Sequence, residues 1–388
     1  MGNTIINRVK YTPWMYRVYY YCGTALLRVL KLLVSPDDKL ILFSSFGGRK
    51  FDDSPRAIYE SMLNDKRFAD YKFVWAFIDP DKFDVPRGQK IGTDGLRYYV
   101  TALKARVWVT NSTIERGLSF KGKKTFYYDT CHGTPLKTMG RDVAAGNKAF
   151  GTKGGFPVDV MTAQGDYEAD IFSRVFNIPR DNFRVIGLPR NDELVNFTDS
   201  RREQLRAQLG IAPGTTAILY APTYREYEQS AVGVKMSLPV DFKKWRQVLG
   251  ESYKLLFRAH YEVAKSMAIT DDGFVHNVSD YSSLNDLMIA SDVLIRDYSS
   301  LFFDYSIMGK PMLCFAYDYD EYAAKRGLYF DVRELLPSAE SEDALLSLLG
   351  NLPLEAVEQV KVFREKYVTE FGRAAELSLD IIANELKM

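Results

Sequence analysis

Imidazole chemistry in this chain has three candidates, His132, His260 and His276, the only histidines among its 388 residues. His132 opens the run His-Gly-Thr-Pro-Leu-Lys directly after the apolar stretch Thr125 to Tyr128. An imidazole on a tight loop at a strand exit is placed to act as a general base, or it only hydrogen-bonds its own loop. His260 lies two residues beyond Arg258, and alternation along an extended segment puts both on one side, a pair suited to an anionic oxygen. A structural ion pair for Arg258 is the competing explanation.

Other polar groups gather at further strand exits. Arg296-Asp297-Tyr298-Ser299-Ser300 follows the apolar Val293 to Ile295 and precedes a helical stretch from Leu301. Hydroxyls and backbone N–H groups there suit an anion, and the same residues serve as an ordinary helix cap. Gly187-Leu188-Pro189-Arg190-Asn191-Asp192 and Ala221-Pro222-Thr223-Tyr224-Arg225 bring two more guanidiniums, which reach phosphate oxygens across a cleft or stay solvated. Together these loops point to a phosphate-bearing ligand. No G-x-x-x-x-G-K-[ST], no G-x-G-x-x-G after a strand and no G-x-S-x-G occurs, which argues against ATPase, dehydrogenase and hydrolase chemistry. Asp79-Pro80-Asp81 lies in a turn and receives no role, so a site without metal is expected, with charge neutralised by Arg, His and helix dipoles.

The elements that must position these loops follow from periodicity. Short apolar runs at 39–44, 72–77, 106–110, 124–128, 183–186, 217–220, 254–257, 293–295 and 312–315 alternate with helical stretches. That pattern predicts parallel sheets covered on both faces, an α/β protein of two doubly wound units whose ligands sit at the carboxyl ends of strands. The polar run Asn196 to Ser200 divides them near residue 197, giving domains 37–197 and 198–388, with a last helix that packs back on the first.

Residues 1–36 stand apart. Arg8, Lys10, Arg17, Arg28 and Lys31 make this leader +5, and no acid appears before Asp37, whereas the whole chain, with 51 Lys+Arg against 50 Asp+Glu, is +1. That near neutrality excludes a general nucleic-acid binder. Met15, Val18, Cys22, Ala25, Val29 and Leu33 recur at helical spacing and predict one apolar face. The longest uncharged stretch there, 18–27, has 10 residues, half of the roughly 20 a spanning helix needs. A basic amphipathic helix at an anionic membrane surface is one reading, and a helix packed on the protein's own core or a dimer partner is the other. Three scattered cysteines, Cys22, Cys131 and Cys314, indicate neither a disulfide framework nor a thiolate zinc site.

Taken as an ordered set, His-Gly-Thr-Pro-Leu-Lys (132–137), Gly-Leu-Pro-Arg-Asn-Asp (187–192), Ala-Pro-Thr-Tyr-Arg (221–225), Arg-x-His (258–260), Ser-Asp-x-Leu-Ile-x-Asp-Tyr-Ser-Ser (291–300) and Phe-Asp-Tyr (303–305) resemble the CDP-glycerol glycerophosphotransferase family. The likeness covers about 40–335, with Ser-Pro-Arg-Ala-Ile-Tyr-Glu (54–60) and Arg-Gly-Leu-Tyr-Phe-Asp (326–331) at its ends. It implies a GT-B type fold of two facing α/β domains, CDP-alditol bound mainly by the second, and two essential histidines, here His132 and His260. His276 lies outside both motifs and is left as a structural residue near the nucleotide. The resemblance further implies transfer of glycerol phosphate from CDP-glycerol to a hydroxyl of an undecaprenyl-diphosphate-linked saccharide, with CMP released, no cofactor and no metal. Substrate contacts then fall to Gly133, Thr134, Pro135, Leu136, Arg190, Thr223, Tyr224, Arg225, Arg258, Ser299, Ser300 and Asp304.

Such an enzyme works peripherally at the cytoplasmic face of a bacterial membrane, and at this length as a primase rather than a polymerase; a homo-oligomer is left open. CDP-ribitol in place of CDP-glycerol, a GT-B glycosyltransferase using a UDP-sugar and a non-catalytic membrane assembly protein are the alternatives. Two departures stand out: Cys131 where the family often has Trp, and Arg296 where it often has Thr. The second adds a cation beside the expected phosphate site.

Overall fold

The computed structural model describes residues 12–143, 156–223, 225, 229–230, 233–234, 239–259, 269 and 271–388. The chain forms two compact units, each built on a parallel sheet. In the first, β1 (Asp37–Ser44), β2 (Lys72–Phe77), β3 (Gln89–Gly92), β4 (Ala105–Thr110), β5 (Phe126–Asp129), β6 (Val160–Ala163) and β7 (Phe183–Val185) lie in the order β3-β2-β1-β4-β5-β6-β7. Runs such as Phe-Val-Trp-Ala-Phe in β2 are buried on both faces because helices cover both sides of the sheet. Phe43, Tyr59, Trp75 and Phe77 form the aromatic centre of that core.

The last helix, Ala374–Leu386, belongs to this first unit and adds Leu379 and Ile382 to its core. Asp192 holds its start, accepting from the N–H groups of Ala374 at 2.9 Å and Ala375 at 2.7 Å, a cap supplied from far away in sequence. The first unit runs to Asp192 and the second takes up at Glu193, a few residues before the polar run that marks a division at 197 in the sequence.

Helix Pro13–Leu33 also packs on the first unit, against residues 116–121, by a face that periodicity did not select. Tyr19 donates its hydroxyl to the Arg116 carbonyl at 3.0 Å, Lys31 its ammonium to the Lys121 carbonyl at 3.1 Å, and Thr24 Oγ1 accepts from Ser119 N–H. Gly23 lies so close to Leu118 that a Cβ there would stand 2.9 Å from its Cδ2. Tyr and Lys stems supply apolar contact while their tips find carbonyls, so a mixed face packs well. The predicted apolar face is turned out: Val18, Cys22, Ala25, Val29 and Leu33 are exposed, joined by Trp14, Leu26 and Leu32.

In the second unit β8 (Thr216–Tyr220), the hairpin strands β9 (Gln229–Ser230) and β10 (Gly233–Val234), β11 (Tyr253–Phe257), β12 (Val275–Asn277), β13 (Val293–Arg296), β14 (Met312–Phe315) and β15 (Ser338–Ala339) follow in sequence. Its parallel sheet has the order β12-β11-β8-β13-β14-β15. The segment Gly133–Met139 belongs here too, although its neighbours on both sides lie in the first unit. It pairs antiparallel with 326–329: Tyr329 N–H donates to the Leu136 carbonyl at 3.0 Å, Thr138 N–H to the Gly327 carbonyl at 3.1 Å, and Arg326 Nη1 to the Thr138 carbonyl at 2.7 Å. Gly327 has a φ of +74°, and a Cβ there would meet Thr138 Oγ1 at 2.5 Å, so only glycine fits.

Candidate functional site

Each sheet has a point where the strand order reverses, between β1 and β4 in the first and between β8 and β13 in the second, and the predicted loops converge on these two points. At the first, the N–H of Phe46 after β1 donates to Asn111 Oδ1 at 2.7 Å, and that of Gly47 to Ser112 Oγ at 3.0 Å. His132 completes the group. Its ring lies 5.7 Å from that of Phe46, and its Nδ1 is 2.9 Å from the Asn111 carbonyl. A carbonyl only accepts, so Nδ1 carries the hydrogen and Nε2 is the ring atom left for proton transfer. The side chain is exposed.

The loop that delivers His132 is wound by Asp129, whose Oδ1 accepts from the Cys131 N–H at 2.7 Å. Cys131 has a φ of +47°, unusual for a residue with a side chain and held here by that carboxyl. Burial pushes the Asp129 carboxyl up to about 8, helped by the charge of Asp53 and opposed by the N–H groups of Cys131 and Thr130. Arg190, expected at a phosphate, forms an ion pair with Asp53 at 3.0 Å, both side chains largely buried.

At the second reversal point Asp297 organises the loop after β8. Its carboxylate accepts from Thr223 N–H at 2.9 and 3.0 Å, from Thr223 Oγ1, and from Arg225 Nη1 at 2.8 Å. Arg225 is almost fully buried, and each of its five donors is taken: Nη1 also by the Thr223 carbonyl, Nη2 by Tyr317 and Asp318, Nε by Asp318. Burial works against its charge, but Asp297 and Asp318 more than offset this and hold the guanidinium firmly protonated. Arg225 therefore organises the loop instead of reaching out of it, and sequence reasoning overlooked Asp297 and Asp318, the partners that fix it.

Ser299 is buried, and its Oγ accepts from Arg296 Nη2 at 2.7 Å and from Leu301 N–H at 3.3 Å. Ser300 is half-buried and Asp304 buried on the following short helix. Arg258 Nη1 donates to the carbonyls of Val278 at 3.1 Å and Tyr281 at 2.6 Å. His276 rests its Nδ1 on the Leu209 carbonyl at 3.2 Å. His260 and Tyr224 lie outside the described residues. Among the described residues there is no cluster of three or more His, Cys, Asp or Glu arranged to hold a metal, and no helix long and apolar enough to cross a membrane.

The family described as CDP-glycerol:poly(glycerophosphate) glycerophosphotransferase matches residues 26–382. A teichoic acid poly(glycerol phosphate) polymerase of Staphylococcus epidermidis is 32% identical over 370 residues, 90% of this chain and 51% of that protein, so the chain spans about half of that relative's length. A teichoic acid glycerol-phosphate transferase of Staphylococcus aureus is 31% identical over 365 residues, covering 88% of this chain and 92% of that one. Among solved structures the wall teichoic acid polymerase TagF is similar with a TM-score of 0.82 at 30% identity, over 98% of both chains. TagF has also been solved in variants that replace one or another histidine, and with CDPG soaked in.

Proposed function

Because the chain belongs to the CDP-glycerol:poly(glycerophosphate) glycerophosphotransferase family, we propose that it transfers glycerol phosphate from CDP-glycerol to a hydroxyl of a lipid-linked saccharide, with release of CMP, in the synthesis of teichoic acid or a related polymer. The observation that carries the reading is His132, exposed at the first reversal point with Nδ1 tied to a carbonyl and Nε2 presented outward. In the proposed step Nε2 takes the acceptor hydroxyl's proton as that oxygen bonds to the glycerol-bearing phosphorus. The bridging P–O bond breaks and CMP departs with its electron pair. Phosphoryl transfer depends mainly on positioning and charge neutralisation, which hydroxyls and guanidiniums can supply.

The diphosphate is assigned to Ser299, Ser300 and the loop that Thr223 and Arg225 fix, the phosphoryl oxygens and leaving CMP to Arg258 and His260, and the alditol or ribose to Asp304. Gly133, Thr134, Pro135 and Leu136, and separately Arg190, are assigned to the remaining substrate contacts. The acceptor is proposed to be an undecaprenyl-diphosphate-linked saccharide at the cytoplasmic face of the membrane. Support comes from the outward side of helix Pro13–Leu33, where Leu32 and Leu33 are 84% and 80% exposed and Arg28 and, nearer the helix start, Arg17 are exposed as well.

The test is incubation of the full chain with CDP-glycerol and the acceptor in anionic vesicles. CMP release and a product heavier by glycerol phosphate units are expected, with the protein sedimenting with the vesicles and Leu26, Leu32 and Leu33 changed to Ser abolishing that sedimentation. The number of units in the product separates a primase from a polymerase. No CMP from either CDP-glycerol or CDP-ribitol would overturn the reading.

A further inference from the structure

Two guanidiniums flank Asp297, and they are used in opposite ways. Arg225 spends all five N–H groups on protein acceptors and has carboxylates on two sides. Arg296, the last residue of β13, makes a single hydrogen bond among the described residues, from Nη2 to Ser299 Oγ at 2.7 Å. Its Nε is buried with no hydrogen-bond partner, and no carboxylate lies within ion-pair distance of it among the described residues. The neighbouring carboxylate, Asp297, is already engaged by Thr223 and Arg225.

Arg296 is half-buried, with its Nε out of reach of water, and a guanidinium even partly withdrawn from water without a counter-ion is costly, so protein interiors ordinarily supply a carboxylate. Burial lowers the pKa of Arg296 despite the nearby charge of Asp297. Ser299 points the same way. Its oxygen receives hydrogen bonds from Arg296 and from Leu301 N–H, so both lone pairs are occupied and its own proton is the group left to donate. A charge-assisted bond into a hydroxyl oxygen also strengthens that hydroxyl as a donor. Among the described residues, a cation without an ion-pair partner and an unspent O–H thus stand together at the carboxyl end of β13, where ligands of such sheets bind.

We propose that Arg296 binds the phosphate of the nucleotide donor, its guanidinium serving as counter-ion to the diphosphate ester while its bond to Ser299 turns that hydroxyl toward the same oxygens. The inference rests on the donor reading above and names the residue that sets its affinity. Arg296 is then a donor-binding residue, and Ser299 acts with it as one unit.

The test is calorimetric titration of the full chain with CDP-glycerol, comparing wild type with R296M and R296K, alongside thermal unfolding without ligand. R296M is expected to weaken CDP-glycerol binding by about ten- to a hundredfold. Its unliganded Tm should be no lower than wild type, because no carboxylate is left unpaired. R296K, which keeps the charge and loses the fork, should fall between the two. Equal affinity in R296M and wild type would overturn the proposal, as would a loss of affinity accompanied by a lowered unliganded Tm, the mark of a structural residue. Should R296M not fold, R296Q takes its place in the same comparison. Wild type that does not bind CDP-glycerol refutes the donor reading itself, whereas wild type that binds beside an unaffected R296M refutes only the role of Arg296.

Discussion

The two reversal points solve opposite problems with the same sheet geometry. At the first, the groups that meet are backbone N–H groups, Asn111, Ser112 and one imidazole, and the base is oriented by a carbonyl dipole. At the second, permanent charges meet: Arg225 with Asp297 and Asp318, and Arg296 beside them. A group that must gain and lose a proton needs orientation without a fixed opposite charge locked onto it. A group that must hold phosphate needs charge already in place, since reorganising it during reaction would raise the barrier. The chemistry that moves and the chemistry that holds are thus separated into different surroundings.

The sharpest way to break this division is at His132. H132A removes an exposed side chain held by a hydrogen bond to the Asn111 carbonyl and a long contact to Cys131 Sγ, so the fold should lose only about 0.5–1.5 kcal/mol. CMP release should fall by about 10²- to 10⁴-fold. A steady-state assay with thermal unfolding on the same sample reads both, and near-normal turnover would remove His132 from the mechanism.

Arg225 should show the reverse signature. R225M leaves buried Asp297 and half-buried Asp318 without the guanidinium that pairs them, and breaking such a pair from one side costs about 3–5 kcal/mol. Denaturant unfolding should report that loss in the second unit, with donor binding failing as a consequence of the collapsed loop. A variant as stable as wild type would mean that the network is decoration and that the contrast between the two regions is false.

How much of this was legible beforehand depends on how local each feature is. Nine strands announce themselves as apolar runs, most of them buried on both faces, although in β7 only Phe183 is buried. β6 is missed although Val160 to Ala163 are all buried, and β12 is missed with only Val275 buried. β3 escapes notice since only Ile91 of Gln-Lys-Ile-Gly is buried, and β15 is a two-residue edge. The position of His132 at a strand exit is a local pattern and was readable. The task of Arg225 was not, because its partners lie 72 and 93 residues away and only the fold unites them. Helix Pro13–Leu33 shows the limit of periodicity: the spacing predicts the helix, yet the residues that dock on the first unit are Tyr19, Gly23, Thr24 and Lys31, which meet backbone groups and the Leu118 side chain at 116–121. The transfer of 133–139 to the second unit has one sequence signal, Gly327, whose missing side chain makes room for Thr138.

The smallest expected effect concerns whether the loop that carries His132 has an unpaired charge behind it, since the charges of Asp53 and Arg190 already neutralise each other. Asp129 sits behind the His132 loop, and burial pushes its carboxyl up to about 8. An acid whose pKa is higher in the folded chain than in the unfolded one, about 3.9, binds more protons when folded across that interval. Stability from this group is therefore complete below about pH 4 and declines as pH rises toward 8. D129N keeps an oxygen for the Cys131 N–H and cannot ionise, so the loop should survive and the pH dependence should not. The Tm of D129N relative to wild type is expected to rise on going from pH 5 to pH 8.5, on the order of a few degrees, with CMP release retained. Parallel Tm curves for the two proteins would mean that Asp129 is ionised in the folded chain, and the His132 loop would then have an unpaired fixed charge behind the base.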